Sequence, residues 1–260
     1  MYEELINVKN IDSAAVLQEP FPHCVIDDFF NEEIALLLEK DFPSFNNDIW
    51  HRYRNPLEVK NASNNWNHFP PLTYKVFQAF NSNIFCQFLK SKFNLDEELH
   101  QDSGLHGGGW HMLSRGGKLN PHLDYFIHPK LKLQRKINLI IYLNHHWKEA
   151  WGGDFGLWES DTASGKAGKL AKSISPLFNR AIIFETSNSW HGIAEKIECP
   201  SRQYRKSLAA YYLIDAPNTP EDSRYKALFA PTVEQEGDAS IIDLINKRAS
   251  LATAKEVWKI

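Results

Sequence analysis

The spacing of apolar residues changes along the chain, and the elements it predicts change with it. Ile34, Leu37 and Leu38 follow the acidic pair Glu32-Glu33, and Phe77, Phe80, Ile84 and Phe88 follow Pro71, each set recurring every three or four residues. That is the period of amphipathic helices, with Asn31 placed to cap the first and Pro71 to open the second. Further on, short β-branched and apolar runs take over: Ile137 to Asn144, Phe155 to Trp158, Arg180 to Glu185 and Arg205 to Leu213. Gly116-Gly117 and Trp151-Gly152-Gly153-Asp154 supply turns between them. Such runs predict a mainly β core with helices packed on its outer face, an α+β chain. Beyond Pro217 and Pro220, Ile241, Leu244 and Ile245 predict a last helix. The expected organisation is a single domain over 1–260, with a helical support region at 1–100, a β core at 101–215 and an extension at 216–260.

Polar residues placed on this frame suggest chemistry. Pro121 biases Asn120 toward extended backbone, so His122-Leu123-Asp124 enters as a strand, and the imidazole and carboxylate point to one side. Taken alone, the two are either surface polar residues or a pair of ligands. Ser189-Trp190-His191-Gly192 follows the strand-like Arg180 to Glu185. On neighbouring strands these pieces would bring two imidazoles and one carboxylate to one face, the ligand set of a non-haem Fe(II) site with open positions. His100-Gln101-Asp102 repeats the pattern, but within the polar stretch from Asp96 to Gly104, where a solvated loop is expected. In the run from Arg205 to Leu213, Arg205, Ser207 and Ala209 share one strand face and Lys206 faces away. An inward guanidinium needs an anion, and a dicarboxylate would serve. The chain has no P-loop, no GxGxxG and no CxxC pair, which removes several competing chemistries.

Read in order, His122-x-Asp124, the Tyr142-Leu143-Asn144 strand, Gly152-Gly153, His191 and Arg205-x-Ser207 resemble the 2-oxoglutarate and Fe(II)-dependent oxygenases, in particular their prolyl 4-hydroxylase-like branch. The resemblance covers roughly residues 20 to 215, including Pro20 to Phe29 and Gly107-Gly108-Gly109-Trp110-His111. It implies a double-stranded β-helix (jelly-roll, cupin-like) core. It also implies that His122, Asp124 and His191 are the catalytic Fe(II) ligands, and that Arg205, assisted by Tyr142 and Ser207, holds the distal carboxylate of 2-oxoglutarate, with dioxygen as the other co-substrate. The implied reaction is hydroxylation of an unactivated C–H bond, with a prolyl or amino-acid-like substrate first and a glycan or lipid precursor second. A non-catalytic cupin- or lectin-like barrel binding metal or sugar is the reading from another class, and an inward Arg205 argues against it.

Composition narrows this picture without redirecting it. With 260 residues, 43% hydrophobic content and 13 each of Gly and Pro, the chain is long and apolar enough for one large, turn-rich core. A net charge of -3 gives no basic surface for nucleic acid. Cys24, Cys86 and Cys199 are an odd number without metal spacing, as in a reduced cytoplasmic protein. No stretch of about 18 apolar residues suggests a membrane span, and the acidic start Met1-Tyr2-Glu3-Glu4-Leu5 does not look like a secretory leader. The expected partner is a small molecule or peptide; the sequence leaves the oligomeric state open. Trp110 and His111 either line the pocket mouth or pack in a glycine-rich turn. Lys130, Lys132, Arg135 and Lys136 read as a solvated hairpin, Trp147, Trp151 and Trp158 as core, and His145-His146 as strand neighbours pointing apart.

Overall fold

Backbone pairing sorts the strands into two antiparallel sheets that face one another. The computed structural model describes residues 3–161, 165–217, 224–250 and 252–253. In chain order it begins with α1 (Val8–Ser13), β1 (His23–Ile26), α2 (Glu32–Lys40), β2 (His51–Asn55), β3 (Glu58–Ser63), α3 (Pro71–Phe80) and α4 (Asn83–Phe93). The core follows with β4 (His100–Gln101), β5 (Gly109–Leu113), β6 (Lys118–Leu119), β7 (His122–Leu123), β8 (Gln134–Tyr142), β9 (Phe155–Ser160), β10 (Ala167–Ile174), β11 (Ala181–Glu185), β12 (His191–Ile193) and β13 (Arg205–Ile214). β14 (Leu228–Phe229) and α5 (Ala239–Ala249) close the chain's described elements. The larger sheet runs β1-β11-β8-β13-β5-β3-β2, with β4 on β13 and β6 on β3, and the smaller runs β10-β9-β12-β7-β14.

Strand alternation explains how the layers stack. Along β8, Ile137, Leu139 and Ile141 turn to the helical side, where they join Ile183 of β11, Leu208 of β13 and the phenylalanines of α3 and α4 in the main core. Ile140 and Tyr142 turn the other way and pack with Ile182, Phe184, Phe155 and Leu157 between the two sheets. Phe29, Phe30, Phe77, Phe80, Phe85 and Trp110 are each at most 1% exposed, and burial of a large apolar side chain contributes about 1.5–3 kcal/mol. This is the expected jelly roll, with helices against its outer face.

Several local expectations need correction. The aromatic stripe after Pro71 is two helices rather than one: the chain breaks at Asn81-Ser82, and Ser82 caps α4 by accepting from Phe85 N at 3.3 Å. Ile84 is consequently 62% exposed, and Leu37 of α2 is 42% exposed. Asn31 occupies the N-cap position of α2 without capping it; its amide donates to the carbonyls of Glu3 and Glu4 instead. Region 1–100 is not simply helical, since β1, β2 and β3 extend the larger sheet. The polar segment before Arg180 contains β10, an edge strand in which only Ile174 is buried.

Candidate active site

Both proposed histidine ligands sit on the smaller sheet, directly opposite each other. β7 is only two residues long, and its His122 pairs in register with His191 of β12. Gly192 makes that pairing possible: a Cβ there would lie 2.7 Å from Asn120 O and 2.8 Å from Leu119 O. The ring centroids of His122 and His191 are 4.3 Å apart. Asp124, just beyond β7, keeps its side chain on the same face, with Oδ1 3.8 Å from His122 Nε2 and Oδ2 3.7 Å from His191 Nε2. Ligand atoms from all three residues fall within 4.8 Å of one another, and this is the only such metal-compatible cluster among the described residues.

The donor set fits a divalent ion chemically. His122 Nδ1 donates to Asn120 O at 3.0 Å and His191 Nδ1 to Ser189 O at 2.8 Å. A carbonyl can only accept, so Nδ1 carries the proton in both rings and each Nε2 presents a lone pair to the third residue. Burial, together with the neighbouring His191, lowers His122 to about 3, and burial likewise lowers His191. Both imidazoles are therefore neutral and ready to ligate near pH 7. Burial alone would raise Asp124, but Arg135 and the two histidines outweigh it and hold the carboxyl well below its usual range.

Arg135 corrects the reading of its segment. Lys130 and Lys132 are exposed as expected, but Arg135 is only 2% exposed. Its Nη1 lies 3.1 Å from Asp124 Oδ2, and its guanidinium is sandwiched between the rings of Tyr125 and Tyr211 at 3.6 and 3.4 Å. A register shift in the β8–β13 ladder beside it accompanies this inward turn.

Deeper between the sheets lies the proposed carboxylate clamp. Arg205, Tyr142 and Ser207 are all buried, and Ser207 pairs in register with Tyr142. Arg205 Nε donates to Gly153 O at 2.7 Å and Nη2 to Tyr142 Oη at 3.1 Å. Gly153 has φ +80°, and a Cβ there would press on Arg205 Cδ at 3.2 Å and Ile197 Cγ1 at 3.0 Å. Lys206 faces away, as strand alternation requires, and reaches Glu39 Oε1 at 3.2 Å.

The remaining candidates fall outside this constellation. His100-Gln101-Asp102 is not a solvated loop: His100 and Gln101 form β4 against β13, and Asp102 is buried, accepting from Gly104 N and His106 N at 3.1 and 2.8 Å. His100 meets Asp215 instead, so the pair does not converge. Trp110 belongs to the core, beside Phe42, Trp50 and Phe69, while His111 on the other strand face lies opposite Ser207. His145 and His146 lie in the turn after β8 rather than on a strand, with ring centroids 4.4 Å apart.

Sequence reasoning missed the groups that hold the triad from behind. β14, in the chain's extension, pairs with β7, and Phe229 stacks on His122 at 5.2 Å and 19°. Arg248 of α5 also lies over the Phe229 ring, 4.4 Å from its centre, and is ion-paired with buried Glu58. Asn120, whose carbonyl fixes His122, donates from its amide to Ala230 O at 3.0 Å. Arg224 Nε donates to Asp124 O at 3.2 Å.

Residues 108–213, which carry every residue of the triad and clamp, match the family described as the 2OG-Fe(II) oxygenase superfamily. Over that segment the chain resembles a 2OG-Fe(II) oxygenase domain. Among curated proteins it is 27% identical over 191 residues to the prolyl 3-hydroxylase OGFOD1 of Xenopus laevis, covering 70% of this chain and 33% of that protein. The chain thus spans about a third of the relative's length. The fold matches a prolyl-4-hydroxylase of Pseudomonas putida with TM-score 0.53 at 12% identity, over 81% of this chain and 97% of that one. A Phytophthora capsici prolyl 4-hydroxylase gives TM-score 0.51 at 20% identity, over 96% of this chain and 76% of that one. Proteins of the superfamily use Fe(II), 2-oxoglutarate and dioxygen. Among the described residues, no helix is long and apolar enough to cross a membrane.

Proposed function

We propose that the protein is an Fe(II)- and 2-oxoglutarate-dependent dioxygenase that hydroxylates a C–H bond of a prolyl or similar amino-acid-like residue. The observation that carries the reading is the pairing of the His122–Asp124–His191 cluster with the buried Arg205–Tyr142 clamp inside one matched domain. When bound, Fe(II) with 2-oxoglutarate and dioxygen supplies the oxidising power that no side chain has. In this reading His122 and His191 give lone pairs from Nε2, kept in that tautomer by Asn120 O and Ser189 O. Asp124 gives the carboxylate, oriented by Arg135. Arg205 takes the distal carboxylate of 2-oxoglutarate, with Tyr142 and Ser207 alongside, which fixes the direction of the diacid. Phe155, Leu157 and Phe184 wall the space between the sheets and exclude water.

The Xenopus relative supports the prolyl part of this reading, and a peptide or small prolyl compound is the partner class it suggests. Three free cysteines support a reducing compartment such as the cytoplasm. The test is anaerobic loading with Fe(II), then admission of 2-oxoglutarate and dioxygen with a prolyl-peptide panel, followed by succinate detection and mass spectrometry of the peptides. A gain of one oxygen in a peptide, with succinate formed in step and both lost in His191→Ala, is the expected result; no succinate under any condition rejects the proposal.

A further inference from the structure

Asn138 sits in the middle of β8 with its side chain between the sheets. It is 1% exposed, and neither its Nδ2 nor its Oδ1 has a hydrogen-bond partner among the described residues. Buried amides are rarely left so, because the desolvation penalty is then uncompensated. Its register partners are Tyr211 on β13 and Phe184 on β11, and both lead to the triad. Phe184 lies 4.8 Å from the His191 ring, and Tyr211 stacks on the Arg135 that pairs with Asp124. Thr186, two residues past Phe184, continues the ladder through its N–H to Lys136 O at 2.9 Å. Its buried hydroxyl is also without a partner. Asn138 and Thr186 are therefore diagonal neighbours on one sheet face. Tyr142 of the clamp is four residues along β8, about 13 Å at ~3.3 Å per residue, so the two polar groups lie at different levels of the barrel.

We infer that Asn138 and Thr186 form a subsite for the neutral amide groups of the substrate backbone, with Asn138 Nδ2 donating to the carbonyl of one group and Oδ1 accepting from the N–H of a neighbouring one. The inference rests on the dioxygenase reading and names what its substrate presents. Asn138 and Thr186 are themselves uncharged, and the nearby charges Arg135 and Asp124 lie 3.1 Å from each other as an ion pair. A carboxylate brings no donor for Oδ1, whereas a peptide backbone, with carbonyls and N–H groups from successive amides, satisfies both amide atoms. An apolar lipid chain would leave both unpaired.

The experiment titrates acetyl-proline N-methylamide into ¹⁵N-labelled protein, metal-free and Zn(II)-loaded. The Asn138 side-chain NH₂ signal is assigned by its disappearance in Asn138→Leu, a near-isosteric change that removes no native hydrogen bond. The amide probe should shift that signal and bind about tenfold more weakly to Asn138→Leu, the equivalent of two neutral hydrogen bonds. The methyl ester of acetyl-proline should bind several-fold more weakly to the wild type. Thr186→Val should weaken the amide without affecting 2-oxoglutarate. An unmoved Asn138 signal, equal binding by Asn138→Leu, or an equal shift with methyl glucoside overturns the inference. So does a loss of 2-oxoglutarate affinity in Asn138→Leu, which would assign the amide to the co-substrate. Succinate formation is scored separately: an amide-dependent shift without succinate keeps the subsite and rejects the dioxygenase, and the reverse result does the opposite.

Discussion

Removing the Arg135 guanidinium leaves the Asp124 carboxylate buried without its counter-charge. Breaking one partner of a buried ion pair destabilises by about 3–5 kcal/mol, so metal-free Arg135→Gln should melt well below wild type. A bound divalent ion can replace the missing positive charge, and Mn(II) should therefore raise the melting temperature of Arg135→Gln more than that of wild type. Thermal unfolding with and without Mn(II) reads both effects; a metal-free variant as stable as wild type would show that the pairing is incidental. The clamp is tested by the same logic. Arg205→Ala should lose about 3–5 kcal/mol of 2-oxoglutarate affinity in calorimetry with Mn(II), Tyr142→Phe about 0.5–1.5 kcal/mol, and Lys206→Ala almost none, because Lys206 pairs with Glu39 on the other face. Buried His122 and half-buried His106 set the pH response. Burial lowers His122 to about 3 and His106 to about 4, from 6.5. Between those values the unfolded chain binds protons that the folded chain refuses, so stability falls as pH drops from about 6.5 toward about 4. Melting temperatures of metal-free protein across that range should decline, and the decline should be shallower in His106→Gln.

At the scale of elements, what was legible in the sequence depended on which faces a strand buries. β8, β11 and β13 are covered on both sides, so their continuous apolar runs announced them, and the inward order of Arg205, Ser207 and Ala209 followed from alternation alone. β10 was missed because a solvent-facing edge needs no apolar pattern: of Ala167 to Ile174 only the last is buried. β7, two residues long, is legible only from Pro121 and the His122-x-Asp124 pattern, while β14, equally short, shows no period, and the contact of Phe229 with His122 joins residues that nothing in the sequence connects. Arg135 looked like one more lysine-like charge, since only the register shift beside it turns it inward. The extension's contribution to the site can be measured. A packed aromatic pair contributes about 0.5–1.5 kcal/mol, so Phe229→Ala should weaken Mn(II) binding by up to about tenfold, and Phe229→Tyr should largely restore it. Unchanged affinity in Phe229→Ala would reduce the stacking to simple packing.

The whole molecule is unevenly secured, and the unevenness falls at the site. Helices α1 to α4 and the larger sheet share one core that runs from Leu5 to Ile214, so they should unfold as one cooperative body. Among the described residues the extension packs through two small clusters, Leu57 with Phe229, Ile241 and Ile245, and Ala230 with Leu123 and Trp190, and it is pinned by the Arg248–Glu58 ion pair and by Ala230 N to Pro121 O at 2.8 Å. Segments with few buried contacts open locally at free energies below that of global unfolding. Yet this is the segment that backs His122, so its opening and metal binding must be linked: an ion that prefers the intact triad favours the closed extension by mass action. Hydrogen exchange should find the amides of Phe229, Ala230 and α5 exchanging faster than those of β8 and β13 in metal-free protein. Mn(II) or Zn(II) should slow the first group while leaving the second unchanged. Charge reversal by Glu58→Lys should abolish that slowing, because it detaches Arg248 while leaving all three metal ligands in place. Exchange in the extension as slow as in β13, or indifferent to metal, would mean that the triad is held by the barrel alone.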